Sequence, residues 1–269
     1  MRLLMALAAL LTTVLAAPVL AQPAAPTQAP AIREFDIATI ERLGRTIYRQ
    51  DSAAWRATDA LQAQLKDIHG AGVKGWIVEG EGDVQRVRFL RDVGHGLEAG
   101  YDVEVGPKGE TRVSEPAERS LAPEERAAFA ARQTAVAHLT QVCRAGYNSV
   151  VLKDPGGDGW LVWLLAPMVK AGEVPIGGHY RFTISADGAT VVRMDALSRS
   201  CLVMTAPAPA SGIKPVAIFV THVVSPTPVE THVFLQMQAG QPMYVMAGGQ
   251  VWKIDGGHIA PPRPLDGKP

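Results

Sequence analysis

The side chains of this chain that could do chemistry are seven histidines, two cysteines and a few closely spaced carboxylates. None of His69, His95, His138, His179, His222, His232 and His258 stands in a His-Glu-x-x-His or comparable metal spacing. His222 and His232 lie in repeated Thr-His-Val tripeptides on either side of a turn at Ser225–Pro228. In a hairpin centred there, His222 faces Thr231 and His232 faces Thr221, so the rings are diagonal neighbours at best and point to solvent. Neither a metal nor a cofactor is expected. Gly70, Gly72 and Gly75 satisfy the letters of a dinucleotide fingerprint. That site needs a strand before the glycines and a helix after them, so that the helix N-terminus meets the pyrophosphate. Here a helical pattern precedes and a strand pattern follows, which makes the segment a helix stop. Glu79 with Glu81, or Asp154 with Asp158, could form a carboxylate pair for sugar hydrolysis, but both pairs read more simply as turn and loop residues. The nucleophile elbow of the α/β-hydrolases is missing, and no catalytic residue is expected.

The cysteines, Cys143 and Cys201, are expected to form one disulfide in an oxidising compartment. Closing so long a loop contributes at most roughly 4 kcal/mol. An oxidising compartment fits the N-terminus. Arg2 supplies a positive start, Leu3 to Leu15 form an apolar run, Pro18 breaks it, and Val19 and Ala21 offer small residues for signal peptidase. The run is shorter than the roughly 20 residues of a membrane span. Residues 1–21 are therefore expected to be a cleaved signal peptide, leaving no membrane anchor and placing the mature chain in the periplasm or outside the cell. With 26 basic and 26 acidic residues, the chain has no electrostatic footprint for nucleic acid.

Residues 22–33, rich in Pro, Ala and Gln, read as a flexible leader. Asp36 is a candidate N-cap, after which Ile37, Ile40, Leu43, Ile47, Ala54, Leu61 and Leu65 recur on one helical face. The helix is expected to bend near Asp51 and to end by Gly70–Gly72. Strands are expected at Trp76–Glu79, Val84–Arg91, Tyr101–Val105 and Thr111–Ser114. The pattern then recurs. Pro123, Glu124 and Glu125 open a second helix with Phe129, Val136, Leu139 and Cys143 on one face. Strands follow at Ser149–Leu152, Trp160–Ala166, Tyr180–Ser185 and Thr190–Met194. Trp160 and Trp163 sit in a strand apolar on both faces, which marks a central strand with buried tryptophans.

Tyr101, Val103, Val105, Gly109, Thr111 and Val113 align without gaps with Tyr180, Phe182, Ile184, Gly188, Thr190 and Val192. The expected fold is therefore α+β, with two helix-plus-antiparallel-sheet repeats at residues 34–116 and 117–205. The pattern Tyr101, Val103, Val105 and Gly109, repeated at Tyr180, Phe182, Ile184 and Gly188, resembles PepSY-type and cystatin-like modules of secreted bacterial proteins. The resemblance implies a non-catalytic inhibitory or ligand-binding module and assigns no functional residue. A disulfide from Cys143 to Cys201 would brace the second repeat. Residues 206–215 read as a Pro-rich linker, 216–256 as a β-meander with strands at Val216–Val224, Glu230–Gln238, Met243–Ala247 and Gln250–Ile254, and 257–269 as a loose tail.

The glycine-rich loop from Lys170 to His179 is longer than its counterpart in the first repeat. It is the expected place for a specific contact, through Lys170, Gly172, Glu173, Gly177, Gly178 and His179. The function read from the sequence is an exported binding or inhibitor protein acting on a periplasmic protein or peptide. The alternative is a secreted hydrolase of cell-wall or peptide material.

Overall fold

The computed structural model describes residues 31–265 apart from 81, 141, 206–211, 213 and 214. The expected signal peptide and most of the expected linker lie outside the described residues. The fold is α+β. Helix α1 runs without interruption from Ile37 to Gln64, and the Asp36 side chain accepts a hydrogen bond from the Thr39 amide at its start. Strands β1 (Val73–Glu79), β2 (Gln85–Asp92), β3 (Leu97–Val105) and β4 (Thr111–Ser114) follow as an antiparallel sheet in that order. Helix α2 (Pro123–His138) then leads into a second antiparallel sheet. Its strands are β5 (Asn148–Lys153), β6 (Trp160–Leu165), β8 (Tyr180–Ile184) and β9 (Val191–Ala196), in that spatial order. Between β6 and β8 a short strand β7 (Glu173–Pro175) leaves to pair with β10 (Val203–Thr205).

The two four-stranded sheets share the same pair of helices. The first half of α1 places Ile40, Leu43 and Ile47 against Val150, Leu161, Trp163 and Leu165 of the second sheet. Its second half places Ala53, Ala57 and Leu61 against Val87, Phe89, Val103 and Val105 of the first. On the opposite side, α2 directs Phe129 onto Ile77, Leu90 and Ala99 of the first sheet and Ala131 and Ala135 onto Val162, Leu164 and Phe182 of the second. Both sheets are thus middle layers between α1 and α2, covered on both faces. Every residue of the central strand β6 is buried, with Trp160 on one face and Trp163 on the other. The sheets meet edge to edge, β1 beside β5.

The stripe of α2 differs from its sequence expectation. The helix stops at His138, Val136 is exposed, and Cys143 lies in the loop beyond. Small alanines occupy the buried side because the turn between β8 and β9 comes within van der Waals reach of the helix backbone. A β-carbon on Gly188 would sit 2.7 Å from the Ala131 nitrogen. A bulky stripe would hold that turn away.

The C-terminal part departs further from expectation. It is not a meander. Glu230–Ala239 forms helix α3, where a strand was expected over Glu230–Gln238. Strand β11 (Ile218–Thr221) pairs parallel with β12 (Met243–Ala247), and β12 pairs antiparallel with β13 (Gln250–Asp255). Parallel neighbours require a crossover, and α3 supplies it. An apolar run this short carries no reliable period when it is buried on all sides, and Val233, Phe234 and Leu235 are all buried. Gly240 in the left-handed region ends the helix. Helices α1 and α3 cross at Gly44, where an added β-carbon would lie 2.7 Å from the Glu230 carbonyl oxygen.

Residues 257–265 are not loose. Strands β14 (His258–Ile259) and β15 (Arg263–Pro264) both pair with β13. The Ile259 amide donates to Glu41 at 2.6 Å, and Arg45 donates to the Gly257 carbonyl at 3.0 Å. The end of the expected leader is docked as well. Ile32 is in the core, and the Arg33 guanidinium forks onto Asp154 at 2.6 and 2.9 Å.

Candidate binding cleft

Strands β1 and β5 are terminal in their sheets, so each has one edge with no strand hydrogen-bonded to it among the described residues. The two strands are in contact, and Trp76, Asn148 and Ser149 line a common hollow. Beyond that point a cleft of about 690 Å³ opens between Ile77–Glu79 of β1 and Val150–Val151 of β5. This volume is in the range of small-ligand sites. Ala128 and Arg132 of α2 form its floor, and Glu118, Ser120–Ala122 and Trp160 form its rim.

Of the four carboxylates that line the cleft, three are in ion pairs and the fourth, Glu118, is exposed and accepts the Ser120 amide at 2.8 Å. Glu79 pairs with Arg86. Glu125 takes a hydrogen bond from Arg88 at 2.7 Å and another from the Ala122 amide at 2.6 Å. Arg88 also forks onto Asp102, with both bonds at 2.8 Å. Glu124 pairs with Lys153 at 3.1 Å. Arg132 is different. Its Nε donates to the Ser149 hydroxyl at 2.7 Å, and its guanidinium lies over the Trp76 ring, 5.0 Å from the centroid. No carboxylate pairs with it among the described residues, and burial alone lowers its pKa below the usual arginine value. Its Nη1 also donates to the Gln133 side-chain oxygen at 3.3 Å, so the cleft presents one cation in no ion pair among the described residues.

The residues singled out from the sequence lie elsewhere. Lys170 is exposed, and Gly172 and Glu173 border a separate apolar cavity of about 400 Å³ beside Met204 and Ile218. Glu173 pairs with Arg144 at 3.1 Å. The Gly177 amide donates to the Leu202 carbonyl at 2.9 Å and the Gly178 amide to the Ser198 hydroxyl at 2.8 Å. His179 is buried, receives the Ala166 amide on Nδ1 at 3.1 Å and donates from Nε2 to the Pro175 carbonyl at 2.6 Å. The loop is thereby sewn to the Cys143–Cys201 disulfide region, where the two Cα atoms are 5.4 Å apart.

His222 and His232 are not solvent-facing. Both are buried, and their rings meet edge to face with centroids 4.7 Å apart. The hairpin expected between them is replaced by the entry to α3, which swings His232 back over the end of β11. Burial lowers the pKa of His179 and of His222 to about 4 and that of His232 as well. Among the described residues no three His, Cys, Asp or Glu side chains are grouped so as to hold a metal ion. Next to this cluster, Glu230 at the first position of α3 accepts from Trp163 at 2.7 Å and from Arg181 at 2.8 Å. Arg181 also donates to Asp195 at 2.7 Å. This buried set fastens α3 to the second sheet.

Sequence reasoning missed Arg132, Trp76 and the edges of β1 and β5. β1 and β5 had only a positional signal, since each begins its sheet, and Arg132 on α2 had none. Among the described residues no helix is long and apolar enough to cross a membrane. Compared with known proteins, the chain matches no family model, no curated protein and no solved structure.

Proposed function

We propose that this chain is an exported, non-catalytic binding protein that holds its ligand in the cleft between the two sheets. Export is supported by the signal-like N-terminus and by the disulfide, which persists in oxidising compartments. The observation that carries the binding role is the cleft. It is a ligand-sized hollow in which Glu79, Glu124 and Glu125 are each neutralised by a basic partner, Glu118 stays at the exposed rim on the Ser120 amide, and Arg132 is left for a guest. Carboxylates fixed in ion pairs are poorly placed to shuttle protons, whereas a cation with spare donors fixes the orientation of an incoming anion.

The test is a ligand screen on the mature protein by thermal shift, using three compound classes: short peptides, oligosaccharides and organic acids. At least one class is expected to stabilise the wild type and to lose that effect in Ala128→Phe, which fills the floor. Ser120→Trp fills from the opposite rim and serves where the first variant folds poorly. If no class binds, or binding survives both fillings, the cleft is not the ligand site.

A further inference from the structure

We infer that the cleft takes the C-terminal end of an extended peptide, its main chain hydrogen-bonded to the free edges of β1 and β5 and its terminal carboxylate held by Arg132. This inference rests on the cleft being the ligand site and names the ligand.

The geometry supplies a direction. Both β1 and β5 run outward from the narrow end, β1 from Trp76 to Glu79 and β5 from Ser149 to Lys153. Arg132 sits at that narrow end, tied to Ser149 and lying over Trp76, with its guanidinium next to Gly75. A chain whose carboxylate reaches Arg132 must leave toward the wide end. It then runs antiparallel to both edges at once, the pairing with the better-aligned hydrogen bonds. A terminus is required because a chain that continued past Arg132 would meet its hydrogen bond to Ser149 and the Trp76 ring.

The edges themselves favour a single strand. An exposed sheet edge is normally blunted by charge, proline or a covering element. Ser149, Val150, Val151 and Leu152 of β5 and Trp76, Ile77 and Val78 of β1 carry no charge and no proline, and Glu79 at the end of β1 is paired with Arg86. Helices α1 and α2 cover the faces of both sheets, so another folded sheet cannot slide alongside, but one extended segment fits between. Four residues of β1, Trp76–Glu79, and three of β5, Ser149–Val151, line the opening, the latter setting the shorter register. At about 3.3 Å per residue this is roughly a 10 Å register, or three to four peptide residues. Strand addition of this kind draws affinity from main-chain bonds and tolerates varied side chains. The carboxylate on a guanidinium fork then fixes the register.

The test is titration of the mature wild-type protein, read by tryptophan fluorescence and calorimetry, with four probes. These are acetyl-tetraalanine with a free carboxylate, its C-terminal amide, the free acid methylated on its internal amide nitrogens, and acetate. The free acid is expected to bind about tenfold or more tightly than the amide or the N-methylated peptide, and acetate more weakly still. In Arg132→Gln the free acid should lose its advantage over the amide, the two binding alike. Arg132→Lys, which keeps the charge and loses the fork, should fall between that variant and the wild type and covers the case in which the glutamine variant folds poorly. Equal binding of acid and amide, indifference to N-methylation, or acetate binding as well as the peptide would each overturn the inference. If no peptide binds while sugars or organic acids stabilise the wild type and not Ala128→Phe, the peptide is wrong and the cleft reading stands. If nothing binds in either experiment, both fall together.

Discussion

Asp51 lies on the buried side of α1, and its one side-chain partner, Asn148 at 3.0 Å, is neutral. Burial raises its pKa from 3.8 to about 6, opposed by that hydrogen bond. Between those pH values the folded state holds a proton that the unfolded chain has released. Stability from this group is therefore greatest in acid and falls as pH rises from about 4 to about 6. The buried histidines act with the opposite sign. His179 and His222 stay neutral in the fold down to about 4, whereas the unfolded chain takes up protons from 6.5 downward, so acid removes stability. The two effects partly cancel in the wild type. Asp51→Asn keeps an acceptor for Asn148 and removes the buried charge. Urea melts should show it about 1–3 kcal/mol more stable than wild type at pH 7, with little gain at pH 4 and hence a steeper loss in acid. A gain that is the same at both pH values would show that Asp51 carries no buried-charge penalty.

At the scale of elements, the turn between β8 and β9 is where sheet and helix come closest. Gly188 combines a φ of +78° with a neighbouring Ala131 nitrogen that would lie 2.7 Å from a β-carbon. Gly249, in the turn between β12 and β13, has a similar φ of +74° and open space around it. Gly249→Ala should therefore cost about 1 kcal/mol, the conformational part alone. Gly188→Ala should cost about 2–4 kcal/mol, because it also drives α2 off the sheet. Chemical denaturation of the two variants side by side checks this, and equal losses would remove the close approach as an explanation. The same constraint accounts for the alanine stripe of α2, which a search for large apolar residues overlooks. Glycine also lets α1 and α3 cross at Gly44. In both places a small residue marks a contact more tightly than a large one does.

For the whole molecule, the disulfide ties the loop after α2 to the segment after β9, behind the loop that carries His179. Replacing both cysteines by alanine should cost about 2–4 kcal/mol, read as the shift in urea midpoint, and should match the effect of reductant on the wild type. A reductant effect much larger than that of the double variant would point to damage beyond loss of the bridge.

The sequence by itself determined the α+β class, the order of the two helices and eight sheet strands through β9, though not the short strand β7, the burial of both tryptophans of β6 and the pairing of its two cysteines. Those follow from local periodicity, turn residues and a count of two. It misread α3, the docked segment 257–265 and the solvent exposure of His222 and His232, because each depends on what a distant element covers. Burial on all sides erases the period that separates a short helix from a strand. Only the tertiary structure brought β1 and β5, which are about 70 residues apart, edge to edge above Arg132. No spacing in the chain encodes that meeting. It arises because α1 and α2 each span both sheets and must cover them together.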